Sequence, residues 1–190
     1  MPLVVVNEVQ HGGAATALFW QGFHLGFPYI GDAGMGGFWT SQNAGHGTAL
    51  VTSGAGPCLI MVVHRANGTG ALGHYAAHPD AAIILQGLQA MLLALPPGPV
   101  DTILFAAGVV GSGGGAQFAH NQLMYEMQVV AGAKGMAPGA KVIWPAQDNR
   151  DNWSAAMYLP HAGQIALFQN FPRSIVGRSG AGNGLAPHGY

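Results

Sequence analysis

The chain is poor in charged side chains. Its 190 residues include six Lys or Arg and seven Asp or Glu, which amounts to 7% of the chain and a formal net charge of −1. So few cations cannot build the basic face that holds a phosphate backbone or an anionic lipid surface. We therefore expect neither a nucleic-acid partner nor a membrane partner.

Long apolar runs are also lacking. A membrane-spanning helix needs about 20 consecutive apolar residues, and no such run occurs, although hydrophobic residues make up 49% of the chain. The first eight residues have no positively charged region and their apolar run ends early, so we expect no Sec-type signal peptide. The localisation stays open between the cytoplasm and export by a route that uses another signal.

Cysteine occurs once, at Cys58, so no disulfide can form within the chain. A lone thiol is either a small core side chain or a reactive group, and composition does not decide between them. No Cys-x-x-Cys pair accompanies the nine histidines, and a structural zinc site generally needs four clustered ligands. We expect no metal site.

A glycine-rich stretch at 111–116 follows a predicted strand and precedes a predicted helix, as a dinucleotide-binding loop would. The chain has no repeated βαβ unit, no Gly-Lys-Ser/Thr sequence and no acidic residue at a strand end about 20 residues later. We therefore expect no nucleotide and no other cofactor.

Glycine is abundant, with 31 residues, and it separates short apolar stretches. Such stretches bounded by turn-forming residues predict strands, and those of the first forty or so residues predict a β-meander. The strongest local signal is Asn67-Gly68, which predicts a hairpin turn between strands at 58–65 and 70–77. The other predicted strands are 15–20, 25–30, 37–40, 48–53, 102–107, 141–145, 153–159 and 164–169.

Two segments, 83–95 and 117–130, place apolar residues at helical spacing. Asp80 lies near the start of the first helix, and Pro96-Pro97 stops it. This order of elements favours an α+β fold, with a mostly antiparallel sheet or sandwich core and two main helices packed against it. We expect one domain over 1–178 and a flexible Gly-rich tail over 179–190.

The surroundings of Cys58 favour a reactive thiol. Residues 52–58 read Thr-Ser-Gly-Ala-Gly-Pro-Cys, so the cysteine opens a strand directly after a Gly-rich turn. Gly54 and Gly56 allow backbone N–H groups to converge on one point, as an oxyanion requires. Pro57 has no N–H, so the amide of Cys58 is expected to be one of the donors.

A thiol near neutral pH needs a basic neighbour to become a thiolate, and His74 on the adjacent strand is the natural candidate. The two arms of the hairpin are unequal in length, so we expect a bulge or a wide loop to bring Cys58 level with His74. His64 shares a face of the strand with Cys58 but lies about 20 Å along it at ~3.3 Å per residue. That distance is too long for His64 to activate the thiol.

Residues 52–58, with Gly73-His74 one strand and one turn later, resemble the active-site pattern of the cysteine-dependent glutamine deamidases. This superfamily includes the CheD chemoreceptor deamidases and the catalytic domains of cytotoxic necrotising factor and lethal-factor toxins. The resemblance covers about 48–168 and is most specific between Thr52 and His74. It implies a bacterial hydrolase that converts glutamine to glutamate through a thioester, with Cys58 as nucleophile, His74 as base and Thr52 orienting the imidazole.

The resemblance also implies a partner, a protein substrate with an exposed glutamine, as for a toxin or effector that acts on a foreign protein. The residues do not indicate an oligomeric state. Two alternatives stay open: a cysteine amidase or protease that acts on small or peptide amides, and a non-enzymatic binding module in which Cys58 is buried and inert. Thr52 fits an ordinary β-branched strand residue equally well.

Overall fold

The structure is a computed structural model of the chain, and it describes residues 2–8, 29–30, 37–44, 49–53, 55, 58–109, 116–144 and 153–169. These residues contain ten strands and three helices. The strands are β1 (Val4–Glu8), β2 (Tyr29–Ile30), β3 (Gly37–Thr40), β4 (Leu50–Ser53), β5 (Leu59–Arg65), β6 (Gly70–Tyr75), β7 (Val100–Ala107), β8 (Lys141–Ile143), β9 (Trp153–Leu159) and β10 (Gln164–Gln169). The helices are α1 (Ser41–Ala44), α2 (Ala81–Ala94) and α3 (Ala116–Met136).

The described strands form two five-stranded sheets. Sheet A has the order β1-β10-β9-β4-β2, and sheet B has the order β3-β6-β5-β7-β8. Five of the neighbouring strand pairs are antiparallel and three are parallel. The prediction of an α+β fold with a mostly antiparallel sandwich core and two main helices is confirmed.

Sheet B is the middle of three layers. Successive side chains on a strand point to opposite faces, and on β5 and β6 one set, including Ile60, Val62 and Leu72, packs against sheet A. The other set, including Leu59 and Met61, packs against α2 and α3. Every residue of β5 and β6 is buried, so any polar side chain on these strands needs a partner within the protein.

The predicted hairpin between β5 and β6 is confirmed. The Asn67 side-chain oxygen accepts hydrogen bonds from the Thr69 amide at 3.1 Å and from the Thr69 hydroxyl at 2.7 Å. Gly68 has a φ of 81°, a left-handed conformation that glycine adopts without steric cost. The turn therefore follows from the Asn-Gly dipeptide itself.

The first long helix, α2, begins and ends where its sequence indicates. The Asp80 carboxylate accepts a hydrogen bond from the Ala82 amide at 2.9 Å and caps the helix. The helix ends at Ala94, ahead of Pro96-Pro97, whose rings cannot continue it. Within the described residues neither α2 nor α3 has both the length and the apolar character needed to cross a bilayer.

The second long helix, α3, extends past the predicted end at 130 and reaches Met136. Gly132 and Gly135 lower the intrinsic helix propensity of its last two turns, which is why the pattern indicated an earlier end. The buried residues Val129 and Ala133 nevertheless continue at helical spacing. Packing against sheet B therefore outweighs the weak local propensity.

The predicted β-meander is wrong for the part that the structure describes. β2 pairs with β4 in sheet A, whereas β3 pairs with β6 in sheet B. β1 was not predicted, and it pairs in parallel with β10 near the other end of the described chain. These pairings are long-range and depend on partners that local patterns do not identify. The predicted strand at 15–20 and the predicted tail lie outside the described residues.

The space around Gly70 and around Gly135 differs. A Cβ added at Gly70 would collide with the Tyr158 hydroxyl and the Val63 carbonyl, whereas one added at Gly135 would meet nothing within 4 Å. We expect Gly70→Ala to lower the free energy of unfolding by about 1–3 kcal/mol. Gly135→Ala should raise it by about 0.5–1 kcal/mol, because alanine is the better helix former. Urea denaturation measures both, and an unchanged midpoint for Gly70→Ala would contradict the packing.

Candidate active site

A buried hydrogen bond between Thr52 and His74 joins the two sheets. Thr52 lies on β4 of sheet A and His74 on β6 of sheet B, and the Thr52 Oγ1 atom is 2.9 Å from the His74 Nδ1 atom. Both residues are 0% exposed. Because an unmade hydrogen bond in such a layer is costly, the contact favours one orientation of the imidazole.

Cys58 immediately precedes β5 and lies in the same inter-sheet layer. Ile60 is paired with His74 in the β5–β6 ladder, and directly paired residues share a face of the sheet. Cys58 comes two residues before Ile60 and is therefore diagonal to His74. Diagonal neighbours on two adjacent strands lie roughly 7–8 Å apart, with somewhat less between their Cβ atoms, and an aromatic side chain can reach across this distance. The structure thus places Cys58, His74 and Thr52 in one layer.

A bulge or a wide loop was expected between Cys58 and His74, and no bulge interrupts the β5–β6 ladder. Pairing is regular from Leu59 opposite Tyr75 to His64 opposite Gly70. The unequal arms are accommodated by an offset, because Cys58 lies just beyond the end of the ladder and not directly opposite the histidine.

The amide of Cys58 has a partner that the sequence did not indicate. Its N–H donates to the Ala55 carbonyl in the turn that precedes β5. An oxyanion role for this amide therefore requires that the turn hydrogen bond be shared or released. Gly54 and Gly56, the other predicted contributors to an oxyanion site, lie outside the described residues.

Sequence reasoning missed the residues that hold the backbone of Cys58. At the end of β7, Ala107 and Gly108 have φ values of 62° and 79°, and the Gly108 N–H donates to the Cys58 carbonyl at 3.1 Å. A left-handed non-glycine residue such as Ala107 costs about 1–3 kcal/mol, and such strain is concentrated at functional sites. Gln122 on α3 reaches this turn, and a polar residue among the apolar positions of a helix was the available signal.

A second polar pair joins the sheets at the other end of β5. The His64 Nδ1 atom is 2.6 Å from the Tyr158 hydroxyl, and both residues are fully buried. Burial raises the pKa of Tyr158 above its ordinary value, so the phenol stays protonated at neutral pH. His64 therefore has its own partner, far along the strand from Cys58, as its place in the sequence predicted.

A carboxylate, Asp101, lies at this same end of sheet B. The hydrogen bond from the Thr102 hydroxyl, at 2.7 Å, is the main reason that the pKa of Asp101 is below its usual range. A backbone amide and the charge of His64 act in the same direction, while desolvation opposes them. Asp101 thus bonds to Thr102, which is paired with His64 in the β5–β7 ladder, whereas the described partner of His74 is the neutral Thr52.

The described residues contain no group of three or more His, Cys, Asp or Glu side chains that could hold a metal ion. His74 and His78 are spaced as two zinc ligands on a helix would be, but His74 is on a strand and His78 lies in an exposed segment after it. There the His78 Nδ1 atom accepts a hydrogen bond from the Asp80 amide at 3.0 Å. The helical spacing rule does not apply to this pair.

Neither the protein-family models nor the curated proteins searched include a match to the chain. Assignment of the site therefore depends on its geometry and on the local pattern of residues 52–74.

Thr52→Val and Tyr158→Phe each remove one inter-sheet hydroxyl while nearly preserving the shape of the side chain. We expect each to lower the free energy of unfolding by about 1–3 kcal/mol, because a buried imidazole nitrogen loses a partner. Tyr125→Phe is the control, since the Tyr125 hydroxyl is buried and makes no hydrogen bond within the described residues. It should be neutral or stabilising in the same urea denaturation. Equal effects of Thr52→Val and Tyr125→Phe would mean that the Thr52–His74 bond contributes nothing.

Proposed function

We propose that this protein is a cysteine-dependent hydrolase of carboxamides, and specifically a protein glutamine deamidase. The observation that supports it most is the 2.9 Å contact between Thr52 Oγ1 and His74 Nδ1, in the layer that also contains Cys58. A thiol, an imidazole and a group that orients the imidazole are the parts of a nucleophilic hydrolase. The resemblance of residues 52–74 to the deamidases selects glutamine as the substrate class.

In the proposed site Thr52 orients the base. When His74 donates its Nδ1 proton to Thr52 Oγ1, the Nε2 atom has the lone pair that accepts the proton of Cys58. A carboxylate in place of Thr52 would stabilise the imidazolium further through its charge. The neutral hydroxyl therefore orients the ring while adding little to its basicity.

The proposed reaction is acyl transfer. The Cys58 sulfur gives its proton to His74 and attacks the carboxamide carbon of glutamine, forming a C–S bond and a tetrahedral oxyanion. The C–N bond then breaks, and His74 returns the proton to the departing ammonia. Water that is deprotonated by His74 attacks the thioester, the C–S bond breaks and the thiol is restored. The net change is glutamine and water to glutamate and ammonia.

The burial of the site favours a side-chain amide over a backbone amide. Cys58 is 9% exposed and His74 is 0% exposed, so a substrate must present its reactive carbon at the end of a slender group. The glutamine carboxamide stands on an unbranched stem, whereas a peptide bond carries chain on both sides. The resemblance of residues 52–74 to the deamidases then selects a protein with an exposed glutamine as the proposed partner, and a role as a toxin or effector on a foreign protein fits this chemistry.

Iodoacetamide labelling of Cys58 between about pH 5 and about pH 9 tests the activation of the thiol. We expect fast labelling of the native protein with a midpoint well below about 8.5, the ordinary pKa of a cysteine. His74→Ala and Thr52→Val should move the midpoint upward, because the thiolate loses its base or the base loses its orientation. Tyr158→Phe is the control, since it removes a similar buried bond at the distant pair. Labelling that occurs only after denaturation would favour the binding-module alternative.

Incubation with casein as a glutamine-containing probe protein tests the reaction itself. We expect release of ammonia and the mass change of glutamine to glutamate in tryptic peptides, and we expect Cys58→Ser to abolish both while keeping the fold. Tyr158→Phe should keep the activity. Cleavage of the casein backbone, or hydrolysis of free amides with no change in casein, would instead indicate the protease or amidase alternative.

A further inference from the structure

The carbonyl of Cys58 stands at one end of a chain of hydrogen bonds that leads to α3. The Gly108 N–H donates to the Cys58 carbonyl at 3.1 Å. The Gln122 side-chain Nε2 donates to the Gly108 carbonyl at 2.9 Å and to the Glu126 Oε1 atom at 3.0 Å. One glutamine in the helix layer is therefore connected through a single backbone residue to the residue that carries the thiol.

The orientation of the Gln122 amide is determined by its two partners. A backbone carbonyl and a carboxylate both accept hydrogen bonds, so the NH2 group of Gln122 must face them and its oxygen cannot. Glu126 thereby prevents the amide from flipping away from Gly108. The network gives the side chain one arrangement that satisfies both of these acceptors.

Gln122 occupies a position that would otherwise suit an apolar residue. It is 0% exposed and shares the buried face of α3 with Tyr125 and Val129. Burial of a primary amide is unfavourable unless its hydrogen bonds are made. The contacts to Gly108 and Glu126 account for a glutamine at this site, whereas packing alone does not.

The residue before the glycine that Gln122 holds is strained. Ala107 is a left-handed non-glycine residue, and such a conformation persists only where the surroundings determine it. Gly108 is also left-handed, which glycine adopts without steric cost. A Cβ at Gly108 would lie 2.7 Å from a Leu59 side-chain carbon and 3.3 Å from Trp144. Gly108 is thus closely packed against Leu59 and Trp144, and its N–H is hydrogen-bonded to Cys58.

We propose that Gln122 is a positioning residue for Cys58. By bonding to the Gly108 carbonyl, Gln122 keeps the left-handed Ala107-Gly108 segment in place. The hydrogen bond from the Gly108 N–H then fixes the backbone of Cys58 diagonal to His74. This role rests on the proposed function, because positioning matters to the reaction only if the thiol is the nucleophile. Gln122 itself touches neither the thiol nor the substrate.

Gln122→Met tests the proposal, since methionine has a similar length and helix propensity but no N–H donor. We expect the midpoint of Cys58 labelling to rise toward about 8.5, because a displaced thiol pairs less well with His74. The kcat for glutamine deamidation should fall by about tenfold to a hundredfold with little change in KM. Amide hydrogen exchange of Gly108 should accelerate, while exchange at the far end of β5 stays unchanged.

Two controls separate positioning from a general loss of stability. Tyr158→Phe also removes a buried hydrogen bond, and Tyr125→Phe alters the same face of α3. Both variants should keep the labelling midpoint and the Gly108 exchange rate of the parent protein. A Gln122→Met protein that keeps the parent values of both overturns the positioning role and leaves the deamidase proposal standing. A parent protein whose Cys58 labels only after denaturation overturns the deamidase proposal, and the positioning role with it, whatever the exchange of Gly108.

Discussion

The burial of the β5–β6 hairpin on both faces is the constraint on which the rest of the structure depends. One face packs against sheet A and the other against the two long helices, so water cannot satisfy the polar side chains on either strand. The two histidines on the inner face therefore bond to sheet A, His74 to Thr52 and His64 to Tyr158. These bonds fix how the two sheets are aligned, because each requires a particular residue of sheet A to lie opposite.

The two inter-sheet pairs have similar chemistry and different surroundings. Each joins an imidazole Nδ1 atom to a hydroxyl in a buried layer. Only the Thr52–His74 pair has a cysteine as its diagonal neighbour. The backbone of that cysteine is hydrogen-bonded to Gly108, which in turn is hydrogen-bonded to Gln122 of the helix layer. Catalysis in the proposed function depends on this local convergence, since a thiol without a base at hand stays protonated near neutral pH.

Local sequence signals predicted the elements well where short-range chemistry decides them. Asn67-Gly68 determines the hairpin turn, and Asp80 and Pro96-Pro97 bound the first long helix. Strands β9 and β10 have the predicted bounds. The C-terminal end of α3 and the assignment of β2 and β3 to different sheets were not predicted correctly, because packing across the core outweighs propensity there. The Ala55 partner of the Cys58 amide depends on a turn geometry that residue types do not specify.

The sequence by itself determined the hairpin of β5 and β6, since an Asn-Gly turn brings its flanking strands together. His74 lies on β6, and Cys58 immediately precedes β5. The sequence also placed His64 too far from the thiol, because the rise per residue of a strand is fixed. The resemblance implied that Thr52 orients His74, but the contact between them, like the contact of Gln122 with Gly108, exists only in the tertiary structure. These contacts join residues from different layers, and such contacts form only when the layers pack together.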